Sequence, residues 1–160
     1  MATGMNTVIL AIDANLAAKR AARAVQASRK LTDDPDLFPR RVLVVDDELL
    51  IRWSVSETLS DLGYDVEQAG DAGAALRIVT TAARPFDVVV LDLRLPDMND
   101  LSLLGTLRQL LPSAALILMT AFGTAEIVKD AQALGATVLS KPFELDELTR
   151  LVSEPGTEAK

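Results

Sequence analysis

The chain has 160 residues, about half of them apolar, a formal net charge of -7, and neither cysteine nor histidine. Disulfides, thiolate chemistry and histidine bases are therefore excluded, and any bound metal must sit on oxygen, which suits Mg²⁺, Mn²⁺ or Ca²⁺ better than zinc. The length allows one hydrophobic core with an appendage, and no run of about eighteen apolar residues is present to insert into a membrane.

Charge divides the chain. Residues 1–40 carry six basic and four acidic groups, whereas residues 41–160 carry ten and nineteen. An acidic main domain repels phosphate backbones, which argues against direct nucleic-acid binding. Thr7 to Ile12 is apolar, but no basic residue precedes it and Asp13 follows at once. That is not the pattern of a secretory leader, and the expected location is the cytoplasm. Residues 14–30 are rich in Ala, Lys and Arg, good helix formers whose small apolar side chains bury little area on docking. The N-terminal extension, residues 1–39, is thus expected to be partly helical or disordered. Its basic cluster, Lys19, Arg20, Arg23, Arg29 and Lys30, has docking onto the acidic domain as its alternative role. The run Asp33-Asp34-Pro35-Asp36, followed by Pro39, punctuates the chain and places the boundary near Arg40. The main domain is assigned to residues 40–153 and a flexible tail to 154–160, where Pro155 interrupts the last helix.

From Arg40 onward the pattern alternates. Short apolar runs at Val42 to Val45, Val88 to Leu91, Leu116 to Met119 and Val138 to Leu139, with a weaker, half-buried strand at Tyr64 to Gln68, are separated by helical stretches. Leu49, Trp53, Leu59 and Leu62 roughly follow helical spacing until Gly63 stops the first helix. The second helix is placed at Asp71 to Ala82, the third at Leu101 to Leu111 before Pro112, the fourth at Thr124 to Leu134 before Gly135, and the fifth at Leu145 to Val152. Leu148, Leu151 and Val152 fit a core-facing stripe of that last helix. Five strands alternating with five helices predict an α/β fold, a flavodoxin-like doubly wound (βα)5 with a five-stranded parallel sheet. Its ligands belong beyond the carboxyl ends of the strands at the topological switch point.

Those strand ends present Asp46, Asp47 and Glu48, then Asp92, Thr120 and Lys141. Singly, each has a bland explanation. The three adjacent acids suit a helix N-terminus, Asp92 a loop entry, Thr120 a cap for the helix near Gly123, and Lys141 the surface. Together, at four successive strand ends, they outline a site. Several carboxylates held close do not all ionise comfortably without a cation, and a divalent ion removes the repulsion while leaving positions open for phosphate and water.

The segments VLVVDDE (42–48), VVVLDLRLPD (88–97), LILMTAFG (116–123) and LSKPF (139–143), in this order and spacing, resemble the receiver domain of two-component response regulators over roughly Arg40 to Val152. IRWSVSETLSDLGY and MTAFGTAEIVKDAQALGA are similar to its nitrogen-regulator branch. The resemblance implies a single-domain response regulator in a phosphorelay. Asp92 would accept a phosphoryl group from a sensor histidine kinase or a histidine phosphotransfer protein and so switch the affinity for a downstream protein target. It implies Mg²⁺, with Mn²⁺ as the alternative, ligated by Asp47, Asp92 and the backbone carbonyl of Arg94, with Asp46 acting through water and Glu48 supporting. Lys141, aimed by a cis peptide to Pro142, would pair with the phosphoryl oxygens, and Thr120 would hydrogen-bond them. Small Ala121 would keep the path to Asp92 open. Such a domain catalyses its own phosphorylation and dephosphorylation without being a conventional turnover enzyme. In the family, the face made by the fourth helix, fifth strand and fifth helix often dimerises or binds partners.

Two departures stand out. Val138 occupies the position where the family commonly has a rotating aromatic ring, so aromatic switching is absent, and Asp100 stands where glycine is usual, predicting a rearranged loop. Two rival readings are a phosphorylation-independent receiver-like binding module and a haloacid-dehalogenase-like phosphatase. The complete acidic set with Lys141 argues against the first. The second expects an Asp two residues after the nucleophile, where this chain has Arg94.

Overall fold

The computed structural model describes residues 16–24 and 38–154. The chain divides into two units, Met1–Pro39 and Arg40–Lys160. In the first, residues 16–24 form a helix with mostly exposed side chains. Arg29 and Lys30, the remainder of the expected N-terminal helix and the tail 155–160 lie outside the described residues.

In the second unit, ten elements alternate in chain order: β1 (Arg41–Val45), α1 (Leu49–Asp61), β2 (Asp65–Ala69), α2 (Ala72–Thr81), β3 (Val88–Asp92), α3 (Ser102–Leu110), β4 (Ala115–Thr120), α4 (Ala125–Ala133), β5 (Ala136–Ser140) and α5 (Leu145–Ser153). All strand pairs are parallel, in the order β2-β1-β3-β4-β5. The doubly wound fold expected from the sequence is the fold observed.

Side-chain alternation along the strands builds two cores, one on each face of the sheet. Leu43, Val45, Val89, Leu91, Leu116 and Leu118 pack with Ala72, Ala75, Leu103, Leu104, Leu107 and Ala131, the buried residues of α2, α3 and α4. Val42, Val44, Val88, Val90, Ile117 and Met119 pack with Val55 and Leu59 of α1 and with Leu148, Leu151 and Val152 of α5. The core stripe expected on α5 is therefore present.

The sequence pattern located α1 but not its inward face. Val55, Ser56 and Leu59 are buried, whereas Leu49, Trp53 and Leu62 are exposed. The reason is angular. Trp53 and Leu59 are six residues apart, about 240° around a 3.6-residue helix, so the four residues cannot form one stripe. Gly63 and Gly135 follow α1 and α4 with φ of +96° and +75°, the left-handed angles that end helices and that glycine tolerates without a Cβ penalty. At Gly135 there is a second constraint, because an added Cβ would lie 3.2 Å from the Arg108 guanidinium. That guanidinium, from the last turn of α3, donates to the carbonyls of Leu134 (2.8 Å), Ala114 (2.9 Å), Pro112 (3.1 Å) and Gly135 (3.2 Å), tying the ends of α3 and α4 together.

Candidate functional site

The sheet order reverses between β1 and β3, so the loops after these two neighbouring strands diverge to opposite faces and leave a crevice at their carboxyl ends. Asp46 and Asp47 directly follow β1, Asp92 is the last residue of β3, Thr120 ends β4, and Lys141 follows β5. The fold thus brings together residues separated by up to 95 positions.

One carboxylate oxygen from each of Asp46, Asp47 and Asp92 lies within 4.8 Å of the others. Asp46 is fully buried, Asp92 is 6% exposed and Asp47 is open to solvent. Lys141 Nζ stands 3.3 Å from Asp46 Oδ2, 3.4 Å from Asp92 Oδ2 and 3.7 Å from Glu48 Oε1. Burial, then the charge of Asp46, raise the Asp92 carboxyl above its ordinary value, against the opposing pull of Lys141 and the Arg94 N–H. Burial works against the Lys141 charge, but Asp46 and Asp92 together outweigh it and hold the ammonium above its usual range. One ammonium therefore leaves the three carboxylates undercompensated, with hard oxygen donors converging on one point. This donor set fits Mg²⁺ or Mn²⁺.

Backbone contacts fix each group. The Asp46 N–H donates to the Ala69 carbonyl at 3.1 Å, and Arg52 Nη1 donates to the Asp46 carbonyl at 2.7 Å. Asp46 Oδ1 accepts the Glu48 N–H at 2.8 Å, so the local capping role envisaged for these acids falls to Asp46, while the Glu48 side chain caps nothing. The Arg94 N–H approaches Asp92 Oδ1 at 3.3 Å. The Lys141 N–H donates to the Thr120 carbonyl at 2.8 Å, joining β4 to β5, and the Lys141–Pro142 peptide is cis, as expected. Thr120 is buried and its Oγ1 accepts the Phe122 N–H at 3.1 Å. It does not cap α4, because Thr124 takes that place with its side chain accepting the Ile127 N–H. Ala121 is exposed beside the site, and Val138 is half-buried against the core under α4.

At Asp100 the backbone avoids the conformation that glycine would permit, since no non-glycine residue among those described has positive φ. Asp100 Oδ1 accepts the Ser102 N–H at 2.9 Å, and bonds from the Ser102 hydroxyl and N–H hold its carboxyl below the ordinary range. The Asp100 carboxylate thus braces the start of α3 at the N–H of its first residue.

Sequence reasoning missed the side-chain roles of three residues around this crevice. The Arg94 guanidinium lies 4.6 Å from the centre of the Phe122 ring, linking the β3–α3 and β4–α4 loops. Arg52 reaches from α1 across Gly70 to Asp46. Asp97 grips the start of α2. All three stand in quoted segments, Arg52 in IRWSVSETLSDLGY and Arg94 and Asp97 in VVVLDLRLPD, but no role was read for their side chains.

Residues 42–153 match the family model described as "Response regulator receiver domain". Over 119 residues the chain is 35% identical to sporulation initiation phosphotransferase F of Bacillus subtilis, covering 74% of this chain and 94% of that protein. It is 32% identical over 120 residues to the DNA-binding transcriptional regulator NtrC of Bradyrhizobium, covering 74% of this chain and 25% of that longer protein. Among solved structures, the CheX–CheY–BeF3–Mg²⁺ complex of Borrelia burgdorferi contains a chain matched with a TM-score of 0.66 at 26% identity, covering 72% of this chain and 87% of that one.

Proposed function

Because the chain belongs to the response regulator receiver family, whose members act in two-component phosphorelay signalling and are not ordinarily turnover enzymes, we propose that it is a phosphoacceptor switch with Asp92 as the acceptor. The observation that carries this reading is the convergence of Asp46, Asp47 and Asp92 on one point with Lys141 Nζ within 3.4 Å of Asp46 and Asp92.

Asp47, Asp92 and the Arg94 carbonyl would hold Mg²⁺ or Mn²⁺, with Asp46 acting through water and Glu48 at the rim. The solved relative containing BeF3 and Mg²⁺ supports this choice of ion. When bound, the cation offsets negative charge on the transferring phosphoryl oxygens. An Asp92 carboxylate oxygen forms the new bond to phosphorus in line as the donor's bond breaks. The leaving histidine nitrogen, or acetate oxygen of a small donor, keeps that electron pair. Lys141 pairs with the phosphoryl oxygens after giving up its contact with Asp92. The Thr120 hydroxyl can donate to the phosphoryl group while still accepting the Phe122 N–H, which draws its loop inward. Since Val138 has no ring to rotate, the signal passes through the β4–α4 loop. The domain would thus promote its own phosphorylation and dephosphorylation.

The partner is a sensor histidine kinase or histidine phosphotransfer protein in the cytoplasm, followed by a downstream protein target. An apolar groove between the start of α1 and the β5–α5 turn, lined by Leu50, Ile51, Val55, Phe143 and Leu145, is bounded by Ala121 and Lys141. It suits an amphipathic helix presenting a phosphohistidine directly at the acceptor. Among the described residues no helix is long and apolar enough to cross a membrane. Leu148, Leu151 and Val152 are core, so a homodimer through α4, β5 and α5 would rest on exposed charged residues such as Lys129, Asp130 and Arg150.

Intact mass after incubation with acetyl phosphate and Mg²⁺ tests the proposal. One added phosphoryl group, lost in Asp92→Asn and on chelation, is expected. No addition from either acetyl phosphate or a competent kinase would overturn it and leave a receiver fold that signals without phosphate.

A further inference from the structure

Arg94 supplies a carbonyl rather than a side chain to the proposed metal site, so that ligand can only be as well placed as the backbone carrying it. Leu93 and Leu95 are buried in the core and anchor one side of the segment. Beyond them, the Leu95 N–H donates to the Met98 carbonyl at 3.0 Å and the Met98 N–H to the Leu95 carbonyl at 3.3 Å, closing a tight turn over Pro96 and Asp97. Pro96 fixes one of the two torsions at its position. A shift at the tip of this turn therefore reaches Arg94 with little slack.

The tip is held from outside. Asp97 Oδ1 accepts the Ala72 N–H at 2.9 Å and Oδ2 accepts the Gly73 N–H at 3.0 Å. The next two donors of α2 are taken by its own N-cap residue, with the Asp71 side chain accepting from Ala74 at 2.6 Å and the Asp71 carbonyl from Ala75 at 3.1 Å. Two of the donors that this helix start leaves open are thus satisfied by a carboxylate from a loop about 25 residues away. Two-point attachment fixes orientation as well as position, and the helix dipole favours the charge. An added Cβ at Gly73 would meet Asp97 Oδ2 at 3.6 Å, an ordinary contact, so the grip does not depend on glycine there.

The same corner is tied to the other side of the site. The Ala69 carbonyl, at the end of β2, accepts the Asp46 N–H, and the Arg52 guanidinium beside Gly70 holds the Asp46 carbonyl. The β2–α2 corner is consequently a common anchor for Asp46 and for the Arg94 segment.

We propose that Asp97 is a positioning residue for the metal site, its carboxylate clamped on the first turn of α2 fixing the loop whose Arg94 carbonyl completes the ligand set. The inference rests on the reading of Asp46, Asp47 and Asp92 as a cation site. Asp97 itself touches neither metal nor phosphoryl group.

The test is calorimetric titration of the full chain with Mg²⁺, comparing wild type, Asp97→Ala and Asp97→Asn, with thermal melting of each protein alongside. Asp97→Ala is expected to weaken Mg²⁺ binding about tenfold, at the lower end of the cost of losing outer-shell support around a metal. Asp97→Asn, which keeps one acceptor oxygen and turns an amide NH₂ toward the other N–H, should lose affinity in the same direction but by less. Phosphorylation by acetyl phosphate at saturating Mg²⁺ should recover toward the wild-type rate in both. If the variants melt lower yet bind Mg²⁺ as wild type does, Asp97 is a helix cap alone and the proposal is overturned. Should Asp97→Ala fail to fold, the Asn variant carries the same comparison, and unchanged affinity in it is equally fatal. A wild-type chain that takes up no Mg²⁺ would overturn the reading of the acidic cluster, and this inference with it.

Discussion

Replacing Asp92 with Asn should make the metal-free protein more stable, although it removes the proposed acceptor. Lys141 Nζ is 3.4 Å from Asp92 Oδ2, and the Asp46 oxygen lies within 4.8 Å of the Asp92 oxygen. At an effective dielectric of about 20 these distances correspond to roughly 5 kcal/mol of gross attraction and 3.5 kcal/mol of gross repulsion. Because 4.8 Å is an upper limit, the repulsion at least offsets the attraction, and the two charges give the ionised form no net support. Burial decides the sign, because a carboxylate that is 6% exposed has given up hydration worth several kcal/mol even after relaxation. This agrees with the raised carboxyl pKa, which means that ionisation of Asp92 costs folding stability near neutral pH. A neutral amide should therefore gain about 1–2 kcal/mol in chelator, or about 4–8 °C in melting temperature. With Mg²⁺ at a hundred times its dissociation constant, wild type should gain about 2.7 kcal/mol. The variant, lacking a ligand charge, should gain much less, so the two stability orders cross. Urea unfolding of both proteins in EDTA and in Mg²⁺ measures all four values. Equal stabilities in EDTA together with equal gains in Mg²⁺ would refute the electrostatic reasoning.

Lys141→Met leaves the fully buried Asp46 without its cation and should cost about 2–4 kcal/mol in chelator, with part recovered on adding Mg²⁺; a loss indifferent to Mg²⁺ would count against the shared site. Arg108→Met removes four bonds to carbonyls and should lower stability by about 2 kcal/mol in urea titrations while leaving the acetyl phosphate reaction rate at its wild-type value. Leu50→Glu should slow phosphotransfer from a phosphohistidine donor about tenfold, the kinetic equivalent of losing one interface anchor, without affecting acetyl phosphate; equal slowing of both donors would remove the groove from the docking reading. The bonds from Ala72 and Gly73 hold the Asp97 carboxyl below its ordinary value of 3.8, so its contribution to stability is complete above that value and disappears as pH falls through the depressed one. The melting difference between wild type and Asp97→Asn should accordingly be constant from neutral pH to about 4 and close below it. A difference that persists at lower pH would show that charge is not what the α2 terminus recognises.

The sheet was legible because its central strands are buried on both faces and therefore read as unbroken apolar runs, Val42 to Val45 and Val88 to Leu91. β2 was harder, since it lies at the sheet edge and its sequence DVEQA carries only one fully buried residue. β5 was seen as two residues instead of five because Ala136 and Thr137 add little hydropathy beside Gly135. On α1 the helical spacing of Leu49, Trp53, Leu59 and Leu62 marked the helix without marking its core face, since of these only Leu59 is buried. Leu50, Ile51 and Val55 line a groove next to the site, whereas Leu49, Trp53 and Leu62 are exposed and line neither that groove nor the core. A hydropathy pattern alone does not separate apolar residues that enter the core from those that stay outside it.

The site was legible for a related reason and incomplete for another. Asp46, Asp47, Asp92, Thr120 and Lys141 each follow or end a buried strand, so a parallel sheet converts their one-dimensional spacing into a common rim with no further information. Arg52, Arg94, Asp97 and Arg108 act mainly through backbone carbonyls, backbone N–H groups or a ring face. Any residue type can present a carbonyl or an N–H, so the partner leaves no mark in the sequence. Only the charged half of each contact is written in residue identity, and there it looks like an ordinary surface charge. Asp97 shows the consequence: its partners Ala72 and Gly73 are chemically silent residues. The division follows the type of contact. Side chains that meet other side chains at strand ends can be inferred from order and spacing, whereas those that brace the backbone behind them require the fold.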